Sequence, residues 1–304
     1  MKLCIIGPDK RTQTNLRLLA AAKESFDSVL YVPYSAISIS IKDSVRVFYK
    51  NINMAGFDAV ITRIPKSRSL FGYLITNTLN TYSPINPEAY VITSDRFLML
   101  DMLKRKGLNV PNVYFIDSVR SALDLIEKKE ITFPLSMRMP EIDKSMMIAN
   151  EKKEARTMLG ALKTFQKPVY IEELKNETFT EAYVIGEQVV AAFRKKPKEW
   201  NDIFSGKGKS KAIEPSKTIE KAAVAAASVI NTNFAVVRII EKNNIIFDIN
   251  LCPDLMGAIR ETGVPVDRLF LKYVAKCALE KKESMTWVSR IFGEAKSRMR
   301  GMFE

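Results

Sequence analysis

The hydrophobic pattern of the first ninety residues alternates between short apolar runs and one amphipathic segment. The runs end at turn residues and predict strands, while TQTNLRLLAAAKE carries leucine and alanine at helical spacing. Strands that alternate with helices predict a mostly parallel sheet, so we expect a small Rossmann-like domain here. The four predicted strands are KLCIIG, SVLYVP, SVRVFYKN and GFDAVITRI.

The next eighty residues predict a compact α+β unit. Thr93 or Ser94 is expected to cap a helix that has Asp95 in its first turn, and Gly107 ends this helix. Helices are also predicted from residue 118 and from residue 150. The predicted strands of this unit are NVPNVYFID, ITFPLSMRM, KSMMIAN and PVYIEEL.

Two hairpins and several helices are predicted for the remainder. TEAYVIGEQVVAAFRKK turns near Gly186, and NFAVVRII pairs with NNIIFDINLC. Residues 198–216 are rich in glycine and lysine, which predicts a mobile polar loop. A helix follows this loop, and helices from about residue 265 end in a basic amphipathic tail.

Composition narrows the class of protein. The chain has 304 residues, of which 47% are hydrophobic, and no apolar run approaches the roughly 20 residues that span a bilayer. Its start becomes polar after Gly7, unlike a signal peptide, so we expect a cytoplasmic protein. The net charge of +13 favours polyanionic partners without selecting one.

The absence of histidine excludes every mechanism that needs a histidine base, nucleophile or metal ligand. Any metal must be held by Asp, Glu or Asn oxygens, which favours magnesium. The three cysteines lack the paired spacing of a disulfide framework or a zinc site. Chemistry would then rest on positioning and electrostatics, as in phosphoryl transfer.

Several segments, in order from about residue 1 to residue 275, resemble RimK-like ATP-grasp ligases of the glutamate-ligase type. The resemblance implies an α/β and α+β chain with an ATP-grasp fold. It implies a pre-ATP-grasp domain at 1–90, ATP-grasp subdomains at 91–170 and 171–283, and the tail at 284–304. The segments that carry it are YKNINMAGFDAVITRI, PINPEAYVITSDRFLMLDMLKRKGLNVPNVYFID, VYIEELKNETFTEAYVIGEQVVAAFRK and AVVRIIEKNNIIFDINLCPDLMGAIRETG.

The resemblance implies an ATP site. Arg96 and Arg138 stand where the family has two phosphate-binding lysines, and arginine keeps the charge. Glycines of the family's phosphate loop let backbone N–H groups approach phosphates closely, but none occurs in this loop. The residues roughly at those glycine positions are Ile142, Ser145 and Met147.

The resemblance also implies how adenine and substrate are recognised. Glu172, Glu173 and Leu174 match the hinge whose backbone reads adenine. Glu181 stands near the position of an arginine that holds the substrate carboxylate, and it reverses the charge. Arg194, together with the neighbouring Lys195, is a candidate to compensate, so Arg194 is assigned a catalytic role.

The family's metal site is kept in part. Asp248 and Asn250 are two residues apart on a predicted strand, so both point to one face and match metal ligands. The resemblance gives Asn250 a catalytic role as well. Arg238 occupies the position of the first-strand aspartate. Two hypotheses stay open: one magnesium ion rather than two, or an ion pair between Arg238 and Asp248.

The resemblance implies an ATP-dependent carboxylate–amine ligase that acts through an acyl phosphate. Its substrate would be an amino acid or an acidic peptide or protein tail, and it would assemble as a homo-oligomer. A second hypothesis is a catalytically impaired homologue that binds a nucleotide or a partner and regulates. A third, weaker hypothesis is binding of RNA or an acidic protein through the basic tail and the loop lysines Lys207, Lys209 and Lys211.

Overall fold

The computed structural model describes residues 1–128, 131–139, 146–163, 167–173, 177–198, 202–203 and 208–300, and for 285–300 it describes the backbone. Within these residues the strands form four sheets. One parallel sheet and one small antiparallel sheet belong to the N-terminal block. The middle and C-terminal blocks have one antiparallel sheet each.

A three-stranded parallel sheet opens the chain. Strand β1 (Lys2–Gly7) lies between β2 (Ser28–Pro33) and β6 (Ala59–Thr62). Helix α1 (Gln13–Ala22) packs against β1 and β2. The interior of β1 is fully buried, as expected for a parallel strand that is covered on both faces. The predicted Rossmann-like sheet is therefore confirmed at these three strands.

The prediction that the third strand belongs to that sheet is wrong. It corresponds to β4 (Val45–Tyr49), which pairs antiparallel with β3 (Ile37–Ile41) and β5 (Ile52–Asn53) in a separate sheet. Only residues 42–44 separate β3 from β4. A connection this short joins antiparallel strands, whereas parallel strands need a long crossover.

Three helices connect the N-terminal and middle blocks: α2 (Ser69–Leu79), α3 (Pro87–Ser94) and α4 (Arg96–Arg105). The predicted cap at Thr93 or Ser94 is wrong, because both residues belong to α3. The Thr93 hydroxyl donates to the Ala89 carbonyl at 2.7 Å. Asp95 is the N-cap of α4, and its side chain accepts the Leu98 N–H at 2.8 Å.

The middle block is an antiparallel sheet with two helices and its own hydrophobic core. Helix α5 (Val119–Glu127) is capped by Ser118, as the sequence predicts, and α6 (Lys152–Leu162) packs beside it. The sheet has the order β7-β10-β8-β9, with bounds β7 (Asn112–Ile116), β8 (Leu135–Arg138), β9 (Met147–Ala149) and β10 (Val169–Glu173).

The C-terminal sheet contains both predicted hairpins. Gly186 has φ +59° in the first turn, and Asn243 and Asn244 have positive φ in the second. The prediction of a loop over 198–216 is wrong in part. Residues 209–212 form an edge strand that pairs with the second strand of the first hairpin. The order is β13-β12-β11-β14-β15, with bounds β11 (Phe179–Ile185), β12 (Gln188–Lys196), β13 (Lys209–Ala212), β14 (Phe234–Ile240) and β15 (Ile245–Asn250).

The last helices are α7 (Lys217–Val229), α8 (Leu255–Thr262) and α9 (Val266–Arg300). The backbone of the predicted tail continues α9 as far as residue 300, and 301–304 lie outside the described residues. The largest core runs from β1 and β6 through α3, α4 and α7 to β14 and β15. Helices in the described part of the chain are too short or too polar to cross a bilayer.

Candidate functional site

A cavity of about 330 Å³ collects charged side chains from all three blocks, and we call it the cleft. Four cationic side chains and one carboxylate contribute to its wall. Such an excess of positive charge favours an anionic ligand. The polar residues that line the cleft include Lys66, Arg96, Arg138, Arg238, Asp248 and Asn250. The structure therefore brings together the predicted phosphate-binding and metal-binding residues.

Arg96 is committed to a buried ion pair with Glu172. Arg96 Nε donates to Glu172 Oε2 at 2.7 Å, a second bond joins Nη2 to Oε1, and Nη1 donates to the Phe247 carbonyl at 2.5 Å. The two side chains are only 5% and 2% exposed. Burial acts to lower the pKa of Arg96, but the Glu172 carboxylate outweighs this effect and the pKa is raised.

Arg138 ends β8 beside this pair. Its Nη2 atom lies 3.8 Å from Glu172 Oε2, and its guanidinium lies 5.9 Å from the centre of the Tyr170 ring. Burial, followed by the positive charge of Arg96, lowers the pKa of Arg138. Glu172 therefore lies beside two guanidinium groups, those of Arg96 and Arg138.

A row of alternating charges crosses the C-terminal sheet. Arg238 on β14 is in register with Glu181 on β11 and with Asp248 on β15. Arg238 donates to Glu181 Oε1 through Nε and to Asp248 Oδ2 through Nη1, each at 2.9 Å. Burial acts to lower the pKa of Arg238, but Asp248 and Glu181 outweigh it and raise the pKa. Lys195 on β12 extends the row, 3.2 Å from Glu181.

The side-chain oxygens of Asp248, in this row, and Asn250, beside it, do not fit a bound magnesium ion. Asp248 accepts from a guanidinium, and Asn250 Oδ1 accepts the Cys252 N–H at 2.9 Å. In the described part of the chain, no group of three or more Asp, Glu, Cys or His side chains is close enough to hold a metal. Magnesium needs an octahedral shell of oxygen ligands, and a fixed cation already stands beside the carboxylate.

The hinge places its two glutamates in different surroundings. Glu172 points into the buried pair, whereas Glu173 accepts from the Tyr114 hydroxyl at 2.9 Å and from Thr132. Glu173 borders a smaller cavity of about 240 Å³ that Phe133, Pro134, Ile240 and Ile245 also line. Leu174 lies outside the described residues. Polar residues, among them Thr132, Glu177 and Lys242, also line this cavity, so it offers both apolar contacts and hydrogen-bonding groups to a planar base.

Arg194 does not join the cleft. It lies on the opposite face of β12 from Lys195, is 49% exposed and donates to Glu241 at 2.6 Å. Its catalytic role stays a prediction that this position does not support. Sequence reasoning undervalued Lys195, although strand alternation puts residues 193 and 195 on one face. Of the three loop positions, Met147 begins β9 opposite Met137, and Ile142 and Ser145 lie outside the described residues.

Comparison with known proteins agrees with this architecture. The model of the RimK-like ATP-grasp domain matches residues 93–274, and the model of the RimK PreATP-grasp domain matches residues 1–86. The chain belongs to the RimK-like ATP-grasp family. The family resemblance and the ATP-grasp fold with its pre-ATP-grasp domain are therefore confirmed.

Curated relatives in this family carry the name probable alpha-L-glutamate ligase. The Stutzerimonas stutzeri protein is 24% identical, and the match covers 91% of this chain and 96% of the relative. The Thioalkalivibrio sulfidiphilus protein is 26% identical with the same coverage. The RimK-like chain is thus similar to these proteins over nearly its whole length.

Solved structures share the fold at low sequence identity. ATP-grasp ligase PsnB, complexed with minimal precursor, Mg and ADP, has a TM-score of 0.68 at 15% identity, covering 91% of this chain and 98% of PsnB. D-alanine–D-alanine ligase from Bacillus anthracis, complexed with ATP, has a TM-score of 0.61 at 13% identity and covers 94% and 99%. These likenesses extend the ATP-grasp fold to this chain.

Proposed function

We propose that this RimK-like protein binds a nucleotide in the cleft without magnesium and does not catalyse ligation. The proposal is the regulatory, catalytically impaired homologue among the hypotheses above. The observation that carries it is the position of Arg238, which is bonded to both Glu181 and Asp248. A guanidinium in that place supplies one fixed positive charge where the family's pattern has a metal-binding carboxylate.

Impaired ligation follows from the charges around the row. Acyl-phosphate formation requires charge stabilisation at the transferring phosphoryl group, which magnesium normally provides in this class of reaction. Asp248 and Asn250 are engaged by protein donors, so they are poor candidates to hold that ion. Glu181, which is bonded to the other side of Arg238, is unsuited to hold a substrate carboxylate, because both groups are negatively charged.

Nucleotide binding rests on the positive side of the cleft. Arg138 and Lys66 line it, and Arg96 adds its charge although it is paired with Glu172. A triphosphate would neutralise these groups without a metal ion. The hinge cavity beside Glu173 is where we place the adenine.

An active ligase is the second candidate, and two observations favour it. Asp248 and Asn250 both line the cleft, and the curated relatives bear the name glutamate ligase. In that case Asn250 and Arg194 keep their predicted catalytic roles, and magnesium and an acyl phosphate enter the reaction. The partner would be an amino acid or an acidic peptide; a peptide partner is supported by PsnB, which was solved in complex with precursor peptide PsnA2.

ATP binding and turnover, each measured with and without magnesium, separate the two candidates. We expect calorimetry to give dissociation constants for ATP that agree within about threefold in EDTA and in magnesium. We also expect no ADP release above background across the amino acids and acidic peptides. Magnesium-dependent ADP release that Asp248→Ala abolishes would establish the ligase instead. No binding of ATP in either buffer would exclude both candidates.

A further inference from the structure

A separate cavity lies at the carboxyl edge of the N-terminal parallel sheet, and we call it the edge cavity. Its volume is about 450 Å³. Pro8, Tyr34 and Arg63 line it, and each directly follows a strand of that sheet. Open α/β sheets bind ligands at this edge, where the strands end. Residues 63 and 65 line the edge cavity, whereas residues 64 and 66 line the cleft.

Arg63 is the unusual feature of the edge cavity. Its side chain is only 6% exposed, and its Nη2 atom donates to the Pro253 carbonyl at 2.5 Å. Its Nε and Nη1 atoms have no hydrogen-bond partner in the described part of the chain. A buried guanidinium with two unsatisfied donors is costly unless an anion completes it.

Helix α1 begins at the same cavity. Thr12 caps the helix and accepts the Asn15 N–H at 3.2 Å. The other N–H groups of a first helical turn have no acceptor within the helix, and the helix dipole favours an anion there. Asn15 is 1% exposed, and among the described residues its Oδ1 atom has no donor. Two residues that line the edge cavity, Arg63 and Asn15, therefore carry buried donor and acceptor atoms that have no partner among the described residues.

We propose that the edge cavity binds a small molecule that carries a carboxylate or phosphate group together with a hydrogen-bond donor. The anionic group bonds to Arg63 and to the start of α1, and the donor bonds to Asn15 Oδ1. Pro8, Pro65 and the Tyr34 ring contact the body of the ligand. Cys252 lines both this site and the nucleotide cleft, but the arginine that binds the anion differs: Arg63 here, and Arg138 in the cleft.

One acidic side chain also lines the edge cavity. Asp254 accepts from the Thr14 hydroxyl at 2.6 Å and from the N–H groups of Met256 and Gly257, each at 3.1 Å. Its charge is therefore shared between the N-terminus of α8, where it is the cap, and the Thr14 hydroxyl in the first turn of α1. Arg63 stays available to an external anion.

Calorimetric titration tests the edge cavity with sodium phosphate in one arm and sodium glutamate in the other, at matched ionic strength in sodium chloride. We expect at least one probe to saturate the wild-type protein in the millimolar range, and that arm identifies the ligand class. Arg63→Met should weaken this binding about tenfold or more, because charge-assisted bonds are lost. Arg11→Met is the control, because it removes the same charge from a nearby exposed arginine. It should change the dissociation constant of the probe less than about threefold.

Three results would overturn the proposal. They are saturation by neither probe, equal affinity of the wild type and Arg63→Met, and loss of binding in Arg138→Met, which would place the anion in the cleft. Circular dichroism checks that Arg63→Met folds. If it does not fold, Arg63→Lys decides, since it keeps the charge but loses the planar donor fork. Unchanged affinity in Arg63→Lys would then reject the site.

Discussion

Arg238 donates to Asp248 over 2.9 Å, from the strand next to the one that carries Asp248. The pair lies where the resemblance to RimK-like ligases places two acidic metal ligands on a hairpin. An opposite charge therefore replaces one carboxylate at a cross-strand position, and the remaining carboxylate bonds to it. The hairpin keeps its geometry while its electrostatic role changes.

Replacement of Arg238 by methionine should destabilise the fold strongly. The change leaves Glu181 and Asp248 facing each other without the cation between them. We expect the free energy of unfolding to fall by about 3 kcal/mol, measured by urea denaturation. The matched control is Arg268→Met, which breaks an exposed pair with Glu24 and should cost less than about 1 kcal/mol. Equal effects of the two substitutions would contradict the structural role of Arg238.

Arg96 and Glu172 should show a large coupling energy. Glu172→Gln alone leaves the buried Arg96 without its carboxylate, and Arg96→Met leaves Glu172 only the longer contact with Arg138, so each single variant should lose about 3 kcal/mol of stability. The double variant should lose less than the sum of the two single losses, with a coupling of about 2 kcal/mol in a double-mutant cycle. Additive losses would mean that the two side chains do not interact in solution.

Arg138 and Arg194 should differ in their effect on ATP affinity. Arg138 lines the cleft, whereas Arg194 lies on the opposite face of the sheet, paired with Glu241. We expect Arg138→Met to raise the dissociation constant of ATP about tenfold and Arg194→Met to change it less than about twofold. Calorimetry without magnesium measures both values. The opposite order would restore Arg194 to the site and remove Arg138 from it.

Cys4 should contribute to alkaline destabilisation. Burial raises the pKa of the Cys4 thiol from 9.0 to about 12, so the unfolded chain loses this proton at a lower pH than the folded chain. This contribution to stability is complete below pH 9.0 and is lost as the pH rises toward 12.

Urea denaturation of wild-type protein and Cys4→Ala at pH 8, 9 and 10 measures this contribution. Between pH 9 and 10 the wild type should lose about 1 kcal/mol more than the variant. Between pH 8 and 9 their stability difference should change by less than about 0.5 kcal/mol. Parallel curves over the whole range would show that Cys4 ionises equally in both states.

Periodicity predicted most of the elements because they obey local rules. Ser118 caps α5 as predicted, and Gly186 turns the first hairpin. The misplaced strand β4 and the missed edge strand β13 depend on which neighbour each strand pairs with. Strand pairing depends on residues that are far apart in the sequence, so the periodicity of one segment does not predict it.

The positions of the candidate site residues could be predicted, but the contacts between their side chains could not. The family resemblance led to Arg96, Arg138, Glu172, Arg238 and Asp248. The partners of Arg238 follow from the register of one sheet, and the pairing of Arg96 with Glu172 follows from the packing of α4 against β10. Strand alternation puts Lys195 and Arg194 on opposite faces, and it is Lys195 that reaches Glu181 in the row of charges. No sequence pattern pointed to Arg63. Its role in the edge cavity depends on two guanidinium nitrogens that have no hydrogen-bond partner among the described residues.

The separate core of the middle block has a consequence for how the cleft opens. Arg96 belongs to α4, which packs in the main core, whereas Glu172 belongs to the middle block. Any hinge movement that separates these cores must break two buried bonds and expose both charges to water. The free-energy cost of exposing these charges therefore opposes a separation of the two cores.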